Sequence, residues 1–203
     1  DEQINLFQRE GYLNGGVLLD HDEVVELRAD LERVLEIGPD GFTDGDPHPV
    51  SFRDLRSGAD GASNTPVWQI VNIWEAAPAF ERLIYHPFIV NAISQLTGFQ
   101  DLQVWHDQVQ YKPAETGGAT TWHQDAPLWP ILKPMTPVSA WIPMDDADED
   151  NGCMWMVPGS HKWGNQIDFL QTHGDLQTLE EFNQLNAFEP PDGGDVTARA
   201  WPV

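Results

Sequence analysis

The sequence predicts an antiparallel β core with helices packed outside it, a mainly β fold with flanking helices. Three observations lead there. The first hundred residues carry helical periodicity, whereas from Leu102 onward the apolar positions alternate, and helices followed by strands indicate an α+β layering. Sixteen prolines and seventeen glycines call for many turns. Forty per cent apolar and ten per cent aromatic residues over 203 positions suffice for one domain with a sizeable core. The expectation is therefore a single domain over 1–203, with a largely helical part over 1–100 and the β core over 101–203.

The elements follow in order. Residues 3–10 carry Ile4, Leu6 and Phe7 and stop at Gly11, as a short helix does. A second helix starts after Asp20, an N-cap with Glu23 three residues on as its capping-box partner. Val24, Leu27, Leu31, Val34 and Leu35 then recur at helical spacing until Gly38-Pro39. Residues 40–66 are rich in Gly, Asp, Pro and Ser and read as one long surface loop. A third helix is expected over 78–96, closing at Gly98, and another short one over 176–188. Strands are expected at 102–112, 120–123, 138–144, 153–157 and 196–203.

A formal net charge of −23 repels nucleic acid, anionic membranes and polyphosphates at long range. A salt-adapted or simply soluble surface carries such charge too. With only ten Lys and Arg, a neutral or cationic small molecule is the expected substrate, and no nucleic-acid or membrane partner is expected. The lone cysteine, Cys153, sits in an apolar stretch and reads as a buried small hydrophobe; no disulfide framework is possible. No apolar run approaches the ~20 residues of a membrane helix. Asp1-Glu2-Gln3 shows no signal-peptide pattern, so a cytoplasmic protein is expected, and a single acidic chain of this size is expected to be a monomer.

The segment Thr120-Thr121-Trp122-His123-Gln124-Asp125 closes one expected strand. Along a strand, residues i and i+2 share a face, so the imidazole of His123 and the carboxylate of Asp125 would converge on one point. With one more histidine they would form a 2-His-1-carboxylate facial triad, which leaves three open positions on Fe(II). On its own, His-x-Asp is a common chance spacing. Gln124 would point the other way.

The surroundings of this segment are more specific. Val138-Ser139-Ala140-Trp141-Ile142-Pro143-Met144-Asp145-Asp146 follows it, then Glu149-Asp150-Asn151-Gly152-Cys153-Met154 and Val157-Pro158-Gly159-Ser160-His161-Lys162. Near the start stand Phe7-Gln8-Arg9-Glu10-Gly11-Tyr12-Leu13 and Leu27-Arg28-Ala29. This order resembles the phytanoyl-CoA dioxygenase family of Fe(II)/2-oxoglutarate oxygenases, from about residue 3 to residue 203. The resemblance implies a double-stranded β-helix (a cupin-like jelly roll) and a hydroxylase that uses Fe(II), O2 and 2-oxoglutarate, releasing succinate. His123 and Asp125 would be metal ligands and catalytic. Trp141 would wall the co-substrate pocket, and Gln124 would lie near the active site. Because related halogenases carry a small residue in place of the carboxylate, Asp125 implies hydroxylation or desaturation. The family's third ligand, a late-strand histidine, and its 2-oxoglutarate-binding arginine have no match before Val203, so the last strands of the fold and one ligand are expected beyond it.

Other polar residues carry weaker signals. His106, Gln108, Gln110 and Lys112 alternate on one strand face, which either lines a pocket, with Gln108 as a cofactor contact, or faces solvent. His161 reads as structural, bonding backbone within its turn, and His173 as solvated. His21, His48 and His86 show no partner pattern. The acids at 145–150 lack calcium-loop spacing and read as a solvated turn, with Asn151-Gly152 suited to positive φ. Two other functions stay open at this point: a non-catalytic jelly-roll binding protein, and a cupin-type metalloenzyme that does not use 2-oxoglutarate.

Overall fold

The computed structural model describes residues 1–55, 66–114, 120, 122–129, 131–132, 138–166, 168 and 201–202. The chain forms two compact units, one of residues 1–15 with 118–203, the other of residues 16–117. An antiparallel sheet with helices is present as expected, although helix exceeds strand among the described residues.

In the unit of residues 16–117, helix α2 (His21–Ile37) opens on the expected capping box. The Asp20 carboxylate accepts from the Glu23 N–H at 2.9 Å, and the Asp20 N–H donates to the Glu23 carboxylate at 2.8 Å. Leu27 and Val34 face inward. Residues 40–66 are not one continuous loop: Ser51–Asp54 form strand β1, and Trp68–Val71 form β2. β2 is the centre of the sheet, paired antiparallel with β1 on one side and with β3 (Gln108–Tyr111) on the other. Strand β3 is shorter than the expected 102–112.

The helix expected over 78–96 is two, α3 (Pro78–Ile84) and α4 (Pro87–Thr97). Pro87 supplies the reason, since it disfavours helical backbone at His86 (φ −57°, ψ 122°) and then serves as the first residue of α4. Gly98 ends α4 in the left-handed region, as expected. Helix α3 lacks a cap of its own, so α2 provides one. Asp30 accepts from the Ala79 N–H at 2.8 Å, and Arg33 donates both to Asp30 and to the Ala76 carbonyl. Val34, Ile70, Ile73 and Phe80 are buried and form the core of this unit.

In the other unit, α1 (Glu2–Glu10) ends at Gly11, φ 88°. The last carbonyls of a helix have no partner inside it, and here the turn at 159–162 supplies partners. Gly159 N–H donates to Glu10 O at 2.7 Å, Lys162 Nζ to Arg9 O at 2.9 Å, and the His161 ring bonds Gln8 O at 3.3 Å. His161 is structural as expected, but it bonds α1 rather than its own turn. The FQREGY and PGSHK segments are therefore two halves of one contact.

A Cβ at Gly11 would clash with the His161 ring, in a backbone conformation that side chains resist. Gly11→Ala is accordingly expected to destabilise the chain by about 1 kcal/mol, measured by urea denaturation; an unchanged midpoint would contradict this docking.

Residues 120, 122–123 and 138–144, expected as strands, take irregular backbone, and no ladder forms there among the described residues. Of 153–157 only Trp155–Met156 (β4) is paired, with β5 (Trp201–Pro202). The helix expected over 176–188, His173 and most of 196–203 lie outside the described residues. Cys153 is buried with Val157 and Trp163, as expected of a small hydrophobe. Burial first, then Glu149 and Asp148 nearby, raises its thiol pKa, which favours the inert thiol form. Gly152 takes φ 104° in the acidic turn, matching the expected positive φ.

Candidate metal centre

His123 and Asp125 come together. His123 Nε2 lies 3.3 Å from Asp125 Oδ1, and each side chain is 49% exposed. The route to this pairing differs from strand alternation. Asp125 is in helical backbone (φ −68°, ψ −47°) and leads into a 3-10 turn over Ala126–Leu128, with its own carbonyl accepting from Leu128 N–H at 2.9 Å. A turn, rather than a pleat, aims the carboxylate back toward the imidazole.

The donor chemistry fits a small divalent cation. Ligands on adjacent positions of an octahedron, each about 2.1 Å from the metal, stand about 3 Å apart. The observed 3.3 Å is close to that spacing, and an imidazole with a carboxylate suits Fe(II). Among the described residues no third His, Cys, Asp or Glu completes a cluster.

Gln124, between the two donors, points elsewhere. Its Nε2 donates to Gly164 O at 3.1 Å, and its Oε1 accepts from Gln166 N–H at 2.8 Å. Trp141 lies on irregular backbone and is 46% exposed. Gln108 belongs to the other unit, on β3, where it accepts from Gln69 Nε2 at 3.2 Å. Gln108, Gln110 and Lys112 are exposed and Val109 is buried, while His106 on the same face is half-buried. Partial desolvation of the Lys112 ammonium lowers its pKa.

A model of the phytanoyl-CoA dioxygenase family matches residues 7–184, which takes in both halves of the α1 contact and the His123/Asp125 pair. The chain belongs to the phytanoyl-CoA dioxygenase family. Ectoine dioxygenase of Bordetella bronchiseptica is 27% identical over 164 residues, covering 79% of this chain and 49% of that protein. The peroxisomal phytanoyl-CoA dioxygenase of Rattus norvegicus is 28% identical over 168 residues, covering 79% and 47%. Among solved structures, the non-haem α-ketoglutarate-dependent carbocyclase SnoK from nogalamycin biosynthesis superposes with a TM-score of 0.60 at 27% identity. That match covers 79% of this chain and 57% of the carbocyclase. The chain thus spans about half the length of the curated relatives it matches.

Sequence reasoning missed Asp107. Its pKa is pushed up to about 6, chiefly by burial. The backbone N–H groups of Trp74, Asp107 and Ile73 oppose that rise, and Glu75 adds to it. Its Oδ1 and the Oδ1 of Asn72 are both buried without a hydrogen-bond partner. An Asp placed just before a strand carries no local signal of this, because its partners come from residues 72–75.

Proposed function

We propose that this chain carries part of an Fe(II)/2-oxoglutarate-dependent oxygenase that hydroxylates a small organic substrate. The observation that carries the reading is the 3.3 Å approach of His123 Nε2 to Asp125 Oδ1 within a family match spanning both residues. The fold is then the double-stranded β-helix of the family, a reading supported by the likeness to SnoK. A third metal ligand comes from outside the described residues.

Iron with 2-oxoglutarate would supply the oxidising chemistry, consuming O2 and converting 2-oxoglutarate to succinate and CO2 as a substrate C–H bond is hydroxylated. The chain's own residues set the conditions. His123 binds through the Nε2 lone pair and so must be neutral, and Asp125 must be ionised; metal therefore competes with protons and is lost on acidification. Asp125 also cancels one of the two cation charges, leaving a net charge that an anionic co-substrate can balance. Trp141, whose indole is half exposed, is the candidate apolar wall of the co-substrate pocket. The overall −23 favours a neutral or cationic substrate over a polyanionic thioester, and the protein acts as a monomer.

The test is anaerobic titration of the full natural chain with Fe(II) and 2-oxoglutarate. A metal-to-ligand charge-transfer band is expected in the visible, and His123→Ala should remove it. No band in the unsubstituted protein would rule the reading out. A metal that binds without a 2-oxoglutarate-dependent band would point instead to a metalloenzyme of another kind.

A further inference from the structure

We infer that Gln124 is a positioning residue that fixes the angle between the two metal donors; the inference rests on the metal-centre reading above. The backbone at 122–124 is irregular and belongs to no ladder among the described residues. Both donors are half exposed. The side chain between them is anchored at both of its polar atoms. Each polar atom of the Gln124 amide meets a main-chain group about forty residues away, Nε2 on the Gly164 carbonyl and Oε1 on the Gln166 N–H. A carbonyl only accepts and an N–H only donates, so this pair of partners fixes the orientation of the amide.

The far end of the clamp is itself fixed. Trp163 is buried, and its carbonyl accepts from Gln166 Nε2 at 2.7 Å. Gly164 stands at φ 71°, where the chain turns after that buried indole. The turn just before it is tied to the end of α1 by Gly159 and Lys162. The segment 159–166 is thus bonded to the end of α1 on one side and to the Gln124 side chain on the other. Partners that orient metal ligands are typically worth 10–100-fold in metal affinity.

Gln124→Met keeps the length of the side chain and removes both bonds, and Co(II) serves as the probe. The substituted full chain is expected to bind Co(II) about 10–100-fold more weakly in a chelator competition, with a shifted visible absorption for the bound ion. Its metal-free melting temperature should stay close to that of the parent. Unchanged Co(II) affinity would overturn the inference, and so would a large fall in metal-free stability with affinity intact in the folded fraction. Should the Met variant fail to fold, Gln124→Glu keeps the acceptor for Gln166 and sets a carboxylate against the Gly164 carbonyl; it is expected to weaken Co(II) binding, and parental affinity would overturn the inference. If the parent itself does not bind Co(II), or His123→Ala binds it equally well, the metal-centre reading falls and takes this one with it. A parent that binds through His123 beside an unaffected Gln124→Met removes the positioning role alone.

Discussion

His123→Ala and Asp125→Asn are each expected to lower 2-oxoglutarate turnover in the full chain by more than about 100-fold, beyond what loss of an outer hydrogen-bond partner brings. The reason is geometric. Two donors whose reacting atoms lie 3.3 Å apart can share one small cation, and the described residues offer no third acid or imidazole to take over from either. The Asn variant is the sharper test, since it keeps the shape of Asp125 and removes only its charge. Its amide oxygen can still touch a cation but no longer neutralises it. Succinate release and bound iron should fall together in both variants. Retention of a tenth of parental turnover by His123→Ala would exclude it as a ligand, and iron retained without turnover would assign it a role other than binding.

What the sequence made legible was mostly local. Asp20 and Glu23 announce the start of α2 because a capping box involves residues three apart, and the structure forms both of its bonds. Gly11 and Gly98 mark helix ends for the same reason. The break at Pro87 was equally local, but the apolar spacing across 78–96 ran through it. β1 escaped because Ser51–Asp54 borrows its pairing from β2 and has too few residues to show alternation. The same limit applies to the site. His-x-Asp spacing indicated two converging donors, while the turn that makes them converge depends on the backbone at Asp125. Alternation also turned Gln124 away from its neighbours, but its partners at Gly164 and Gln166 are some forty residues off. The partner of His161 lies 153 residues away in α1, beyond any window of periodicity.

Asp107→Asn is expected to stabilise the protein above pH 6 by about 2 kcal/mol. The shift from an ordinary 3.8 to about 6 is worth at most ~3 kcal/mol, reduced because part of the carboxyl faces solvent. The sign follows from linkage. A carboxyl with a raised folded-state pKa holds its proton more tightly in the folded chain than in the unfolded one. Its contribution is therefore fully present below about pH 4 and is lost as pH rises toward 6. Above that, the folded chain keeps a largely buried anion whose Oδ1 has no donor, with Glu75 adding repulsion. The amide oxygen of an Asn can still accept from the N–H groups of Ile73 and Trp74, so the junction between β2 and β3 keeps its cap while the charge is removed. Urea denaturation of parent and variant at intervals from pH 4 to pH 8 reads this directly. The difference between the two should grow across pH 4–6 and then stay flat. A constant difference over that interval would mean that Asp107 is ionised at its ordinary pKa, and that the junction is open to water.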